Sequence, residues 1–133
     1  MDIYKFEWIN INNSKIKTVN IKKDNPSADI AVYYLSKEIY DAKHTGVEIL
    51  KVIHGYGSHG VGGEIKKAVA KYLLDAQRKK EIKFFVKGEE WSSCNEKVLF
   101  LQEKYPSLLI DEDVKNINSG ITIIYLKDEK SFL

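Results

Sequence analysis

The stretch KVIHGYGSHGVGGEIKKAVAKYL, residues 51–73, decides how this chain folds. It holds five of the eight glycines and two of the three histidines in the sequence. The near-continuous apolar run of residues 47–53 leads into it and predicts a central strand that is covered on both faces. Apolar residues then recur at spacings of three and four from Ile65 to Ala76, which predicts an amphipathic helix. A buried strand, a glycine-rich loop and a helix together indicate an α/β unit.

The same alternation of strands and helices extends in both directions from this stretch. Ser27 is a plausible N-cap for a helix whose apolar face runs from Ala28 to Ala42, and Gly46 closes that helix. Short apolar runs, some of them rich in β-branched residues, predict further strands at 16–21, 82–86 and 120–126. The resulting order, β-α-β-α-β-(insert)-β, predicts an α/β layer fold in which the first three strands are parallel or mixed.

The less regular segment between the third and last strands is interpreted as an insert, residues 87–119. It contains a predicted short helix at 96–105 that Pro106 ends. Trp91 is interpreted as an anchor that packs the insert onto the sheet, and Cys94 as a small core residue rather than a nucleophile. The predicted organisation is one domain at 15–127, with an arm or extra strand at 1–14 and a tail at 128–133.

Composition narrows the class of protein. The 133 residues are 44% hydrophobic and 30% charged, which is ordinary for one globular domain. A single cysteine excludes an internal disulfide bond and fits a reducing compartment. The sequence shows neither a signal-peptide pattern nor an apolar run of membrane-spanning length, so we expect a cytoplasmic protein with no membrane partner. The sequence leaves the oligomeric state open, with a monomer favoured.

Charge is distributed unevenly along the chain. The net charge is only +2, too mild by itself to announce a nucleic-acid binder. Residues 64–80 carry six Lys or Arg against two Asp or Glu, whereas residues 81–133 carry seven against ten. The second predicted helix is therefore basic and the C-terminal third is acidic.

A glycine-rich loop before a basic helix is typical of an anion site. Glycines let the backbone approach a ligand, and the first N–H groups and the dipole of the helix favour negative charge. The pattern is neither a P-loop nor a dinucleotide fingerprint, and glycines that serve only a tight turn remain an open alternative. Tyr56 could stack on a base, and the histidines could contact the ligand or, for His54, fix the turn. The candidate contacts are His54, Gly55, Tyr56, Gly57, Ser58, His59, Gly60, Gly62, Gly63, Lys66, Lys67 and Lys71.

The run His54-Gly55-Tyr56-Gly57, with the helix Ile65 to Leu73 and the last strand 120–126, resembles the small MutS-related (Smr) domain. The resemblance covers about residues 16–126 apart from the insert. It implies a compact β-α-β-α-β-β two-layer sandwich, similar to the C-terminal domain of bacterial translation initiation factor 3. It also implies binding of DNA or RNA through the His-Gly-x-Gly loop, since members of that family bind nucleic acid, some cleave it, and others act on stalled or collided ribosomes.

The chain departs from the Smr pattern at its first strand, which in that family usually ends Leu-Asp-Leu-His-Gly. Here Asn20 replaces the aspartate and Lys22 replaces the histidine. Asparagine cannot take up a proton, and lysine is a fixed charge near neutral pH rather than a proton shuttle. We therefore expect weak or absent nuclease activity, whereas a lysine at this position favours phosphate binding and Lys22 joins the candidate contacts.

Two alternative functions remain open at the level of sequence. The first is a metal-dependent endonuclease that uses His54, His59 and Glu64, and only this alternative calls for a cofactor, a divalent metal ion. The second is a protein-interaction module in which the acidic insert meets a partner, because connections of that length are often functional. The third histidine, His44, is expected on the surface near the C-terminal end of the first helix.

Overall fold

A computed structural model describes residues 15–55 and 63–127. The first half of the chain forms strand β1 (Ile16–Asn20), helix α1 (Ala28–His44), strand β2 (Ile49–Ile53) and helix α2 (Gly63–Arg78). The second half forms strand β3 (Phe84–Lys87), helix α3 (Glu96–Lys104), helix α4 (Glu112–Lys115) and strand β4 (Ile121–Tyr125), with two short 3₁₀ helices at Gly88–Glu90 and Pro106–Ile110. The predicted order of elements is confirmed, with bounds that differ by one or two residues for most elements.

The four strands form one mixed sheet in the order β1-β2-β4-β3. Strands β1 and β2 are parallel, with Asn20 opposite Ile53, and β4 runs antiparallel to both of its neighbours, β2 and β3. Since β2 and β3 are each antiparallel to β4, the first three strands of the chain all point the same way. The predicted α/β class is confirmed.

Helices α1 and α2 cover one face of the sheet. Ser27 caps α1 as predicted, because its side chain accepts a hydrogen bond from the Ile30 backbone N–H at 3.3 Å. Gly46 follows the end of α1 with a φ of +79°, a conformation that glycine adopts without strain. The buried residues that form this core include Leu35, Ile39, Leu50, Val52, Val69, Leu73 and Ile124.

The insert covers the opposite face and forms a second core against it. Trp91 is 5% exposed and packs in this cluster, so its predicted anchoring role is confirmed. The cluster also contains Ile49, Phe84, Val86, Val98, Leu101, Tyr105, Leu108, Val114, Ile121, Ile123 and Tyr125. The insert therefore adds a layer to the sandwich, and the central strand β2 is buried on both faces, as its apolar run predicts.

An ion-pair cluster fastens the insert to the sheet. Lys51 of β2 is 8% exposed, and its ammonium donates to both carboxylate oxygens of Asp111 at 3.0 Å. The same ammonium lies 2.6 Å from Asp113 Oδ2. Burial opposes the charged form, but the hydrogen bonds to Asp113 and Asp111 outweigh it and raise the pKa of Lys51. Part of the acidic charge of the insert is therefore used inside the molecule.

The structure corrects one core assignment. Cys94 is exposed rather than buried, because it lies in the connection before Asn95, whose side chain caps α3, and outside the packed elements. His44 is exposed as expected, with Nδ1 2.8 Å from the Tyr40 carbonyl oxygen. None of the helices in the described ranges combines the length and the apolar character needed to cross a membrane.

Candidate nucleic-acid interface

The carboxyl ends of three strands meet at one edge of the sheet. Lys22 follows β1, Gly55 follows β2, and Lys87 is the last residue of β3. In open α/β sheets, ligands bind in the crevice outside the carboxyl ends of the strands. Helix α2 begins at Gly63, after the loop that leaves β2, so its first turn lies at the same edge and its free N–H groups add partial positive charge there.

Lys22 and Gly55 pack directly on each other at this edge. Gly55 has a φ of +74°, and a Cβ placed on it would lie 3.0 Å from Cδ of Lys22. Glycine therefore makes room for the lysine stem. Asn20, at the position of the Smr aspartate, accepts a hydrogen bond from the Lys22 backbone N–H at 3.0 Å and so shapes the turn that places Lys22.

His54 is an interior residue, only 1% exposed. Its Nδ1 lies 2.6 Å from the Gly55 carbonyl oxygen and its Nε2 lies 2.8 Å from the Thr122 hydroxyl. Burial lowers the pKa of His54 below its ordinary value, and the nearby charge of Lys66 lowers it further. Of the two roles left open by the sequence, this geometry supports the one in which His54 fixes the start of the loop.

The exposed side of α2 supplies the cations. Lys66 is partly shielded by an ion pair with Glu89, at 2.9 Å, whereas Lys67 and Lys71 are exposed. Burial opposes ionisation of Glu89, but the hydrogen bond from Lys66 prevails and lowers its pKa. At the far end of the helix, Asp75 pairs with Arg78 and with Lys79, each at 3.0 Å. In the N-terminal half of α2, Lys67 and Lys71 therefore form no ion pair with a described residue.

A cavity of about 300 Å³ opens beside the first turns of α2. It lies where the two helices leave β3 uncovered, because Phe85 and Lys87 of that strand line it together with residues of α2. Its floor is apolar and its rim carries three lysines. The lining residues are Gly63, Lys66, Lys67, Ala70, Leu73, Phe85, Lys87 and Thr122.

Contacts link this cavity to the loop. Thr122 lines the cavity and holds His54, His54 holds the Gly55 carbonyl, and Gly55 packs on Lys22. We call this group the carboxyl-edge site and define it as Lys22, His54, Gly55, Lys66, Lys67, Lys87 and Thr122. It joins residues that follow β1 and β2 with residues of β3, β4 and α2.

The structure brings together only some of the predicted contact residues. Lys22, His54, Gly55, Gly63, Lys66 and Lys67 lie around this edge, and Lys71 lies one turn further along α2. Tyr56, Gly57, Ser58, His59, Gly60 and Gly62 lie outside the described residues. The arm at 1–14 and the tail at 128–133 also lie outside them.

Sequence reasoning did not assign Lys87, Phe85 and Thr122 to this site. Their signal is positional: Lys87 follows the apolar run 82–86, just as His54 follows the run 47–53 and Lys22 follows the run 16–21. Polar residues that follow successive strands share an edge when the strands point the same way. The placement of Thr122 became visible only with the register of β4 against β3.

The residues that the structure describes contain no group of three or more histidine, cysteine or acidic side chains placed to hold a metal ion. Comparisons with protein-family models, with curated proteins and with solved structures gave no match for this chain. The resemblance to the Smr domain therefore stays a prediction, and the case for a function depends on the geometry of the carboxyl-edge site.

Proposed function

We propose that this chain binds nucleic acid through the carboxyl-edge site. The observation that carries the proposal is the convergence of lysines from separate elements: Lys22 after β1, Lys67 on α2 and Lys87 at the end of β3. Ammonium groups spread over one edge match a chain of phosphates better than a single carboxylate ligand. The N-terminus of α2 adds further attraction for a phosphate at the same edge.

Part of the positive charge at this edge is free of ion pairs among the described residues. Lys51 is paired with Asp111 and Asp113, while Arg78 and Lys79 share the single carboxylate of Asp75. Among the described residues, no ion pair joins a carboxylate to Lys22 or Lys67, whereas the charge of Lys87 interacts with the Glu89 carboxylate. The ammonium groups of Lys22 and Lys67 are therefore available to release counterions from a nucleic acid on binding.

The proposal is for binding rather than cleavage. Both ring nitrogens of His54 are already engaged, by Gly55 and by Thr122, and Asn20 carries no ionisable group. The nuclease pair that the Smr resemblance implies is the aspartate and histidine of the first motif, and Asn20 and Lys22 stand at those positions. The Smr resemblance supports the same class of ligand, DNA or RNA, and it includes ribosomal RNA among the candidates.

Fluorescence anisotropy tests the proposal. Labelled single-stranded RNA, duplex DNA and a four-way DNA junction are titrated across a salt series, with and without Mg²⁺ or Mn²⁺, and each sample is examined for cleavage on a gel. We expect affinity that falls linearly on a double-logarithmic plot against salt concentration. The variants Lys22→Glu and Lys67→Glu should each weaken binding and lower the salt slope by about one.

Lys115→Glu is the matched control, since Lys115 is exposed on α4, in the insert on the opposite face, and the change in charge is the same. It should leave affinity within about twofold of the wild type, because Lys115 is not part of the carboxyl-edge site. Equal loss in all three variants would show that binding follows total charge and not this edge. No binding to any of the three ligands at low salt would overturn the proposal.

A further inference from the structure

The cavity of the carboxyl-edge site combines cations with an apolar surface, and phosphate binding alone does not use the apolar surface. A phosphate needs cations and N–H donors, which the rim supplies, but the floor is formed by the apolar side chains of Ala70, Leu73 and Phe85. Small-ligand sites commonly pair such an apolar floor with a few placed polar groups. The occupant should therefore be flat and apolar in its body and anionic at one end.

The hydrogen bonds of His54 determine which polar group the cavity wall offers. The Gly55 carbonyl can only accept, so the proton of the neutral ring is on Nδ1. Nε2 is then an acceptor, and the Thr122 hydroxyl must donate to it across 2.8 Å. The low pKa of His54 agrees with a neutral ring. The hydroxyl proton is used up in this contact, so Thr122 can offer a ligand only its oxygen lone pairs.

We propose that this cavity accepts an unpaired nucleotide of a nucleic-acid strand, with its base on the apolar floor, an amino group of the base donating to Thr122 Oγ1, and its phosphate at Lys67 and Lys87. This inference rests on the proposed function and narrows its ligand to strands with an exposed base. The cavity volume of about 300 Å³ is at the lower end of the range for small-ligand sites and leaves room for one base. Stacked, paired bases cannot enter, so a perfect duplex engages only the lysines.

Wild-type protein tests the proposal without any variant. Anisotropy is measured with one labelled duplex, prepared as RNA and as DNA, in four forms: perfect, with a single bulged adenine, with a single bulged uracil, and with an abasic bulge. Contact between a base and an aromatic side chain predicts about tenfold tighter binding of the bulged adenine than of the perfect duplex. The bulged uracil should gain less, since its one N–H lies between two carbonyl oxygens, and the abasic bulge should gain nothing.

Filling the cavity separates the base from the phosphate contacts. Ala70→Leu places a larger side chain in the cavity and should erase the gain from the bulged adenine while leaving affinity for the perfect duplex unchanged. Ala68→Leu is the matched control, on the same helix but outside the cavity lining, and should keep the gain. Thr122→Val should remove the preference for adenine over uracil, and Thr122→Ser, which keeps the hydroxyl, should retain it.

The possible failures are distinguishable. Equal affinity of wild-type protein for the perfect, bulged and abasic duplexes overturns the cavity proposal, while salt-dependent binding that Lys67→Glu weakens still supports the proposed function. Absence of binding to all four duplexes overturns the cavity proposal, and absence of binding to single-stranded RNA and to the four-way junction as well overturns both. A free nucleotide offers the same base and phosphate as a nucleotide in a strand, and adenosine monophosphate is the probe for it. Saturable binding of adenosine monophosphate, together with no gain in affinity from a bulge, would assign the cavity to free nucleotides and overturn the proposal.

Discussion

Replacing Lys51 by methionine should weaken the attachment of the insert to the sheet. The change keeps an unbranched apolar stem of similar length and removes only the ammonium. In the wild type, that ammonium lies 3.0 Å from Asp111 Oδ2 and 2.6 Å from Asp113 Oδ2, and the Lys51 side chain is 10% exposed. Lys51→Met leaves two neighbouring carboxylates without their cation at the edge of an apolar cluster.

The size of the effect follows from burial. Removing one partner of a fully buried ion pair costs about 3–5 kcal/mol, because the remaining charge is desolvated and unpaired. The carboxylates of Asp111 and Asp113 keep 23% and 39% exposure, so water retains part of their hydration. We therefore expect Lys51→Met to lower the free energy of unfolding by about 2–3 kcal/mol at neutral pH.

Lys17 provides a control with the same chemistry but a different environment. It lies on β1 and pairs with Glu38 at 3.0 Å, but the two side chains are 46% and 33% exposed. Exposed pairs contribute about 0–1 kcal/mol. Lys17→Met should therefore leave the free energy of unfolding nearly unchanged, and the contrast with Lys51→Met isolates the effect of burial.

Urea unfolding followed by tryptophan fluorescence and by circular dichroism measures both variants across pH. The hydrogen bond from Lys51 lowers the pKa of Asp113, so its stabilising contribution is complete above the unfolded pKa of about 3.9 and is lost as pH falls through the folded pKa. The difference between Lys51→Met and wild type should shrink in acid. For Lys51, whose pKa is raised, the contribution is present below about pH 10.4 and is lost as pH rises through the folded pKa. Two results would refute this reasoning: a free energy of unfolding of Lys51→Met within about 0.5 kcal/mol of the wild type at neutral pH, or a difference between the two proteins that does not shrink in acid.

Three further outcomes are expected. Burial lowers the pKa of His54, so the unfolded chain takes up a proton before the folded protein does as pH falls below about 6.5. The free energy of unfolding, measured by urea unfolding, should therefore decrease with falling pH in that range. An equally steep dependence of the free energy of unfolding on pH in His54→Gln would contradict this. Gly88→Ala should lower the free energy of unfolding by more than about 3 kcal/mol or prevent folding, because the new Cβ would lie 1.8 Å from the Asn118 carbonyl oxygen. Gly63→Ala, whose Cβ would have nothing within 4 Å, should be neutral or stabilising in a thermal melt. Exposed Cys94 should react with a thiol reagent in the native state at the rate of an unfolded peptide, and protection until unfolding would argue against its exposure.

Periodicity in the sequence was sufficient for the architecture. The apolar run 47–53 predicted a strand buried on both faces, and Ser27 and Gly46 marked the two ends of α1. These features are local, since each depends on residues within a few positions of one another. Strand order was not predictable in this way, because the position of β4 between β2 and β3 depends on contacts between distant segments.

The candidate site was predictable where it depends on one loop and one helix, and not where it depends on register. Gly55, Lys66 and Lys67 belong to one continuous stretch of sequence, whereas Thr122 comes to His54 from a strand 68 residues away. The burial of Lys51 was not predictable either. In the sequence Lys51 only interrupts an apolar run, and its burial is explained by Asp111 and Asp113, which lie beside it in the fold but about 60 residues away in the chain.

The position of β4 also has a consequence for synthesis on the ribosome. Strands β1 and β2 can pair as soon as both have left the exit tunnel, but the other edge of β2 waits for β4, the last of the four to be made. Until then β2 and β3 each present unpaired N–H and C=O groups, together with apolar side chains meant for two cores. Such edges invite pairing with other chains, so the nascent protein is most prone to aggregate just before residues 121–125 emerge.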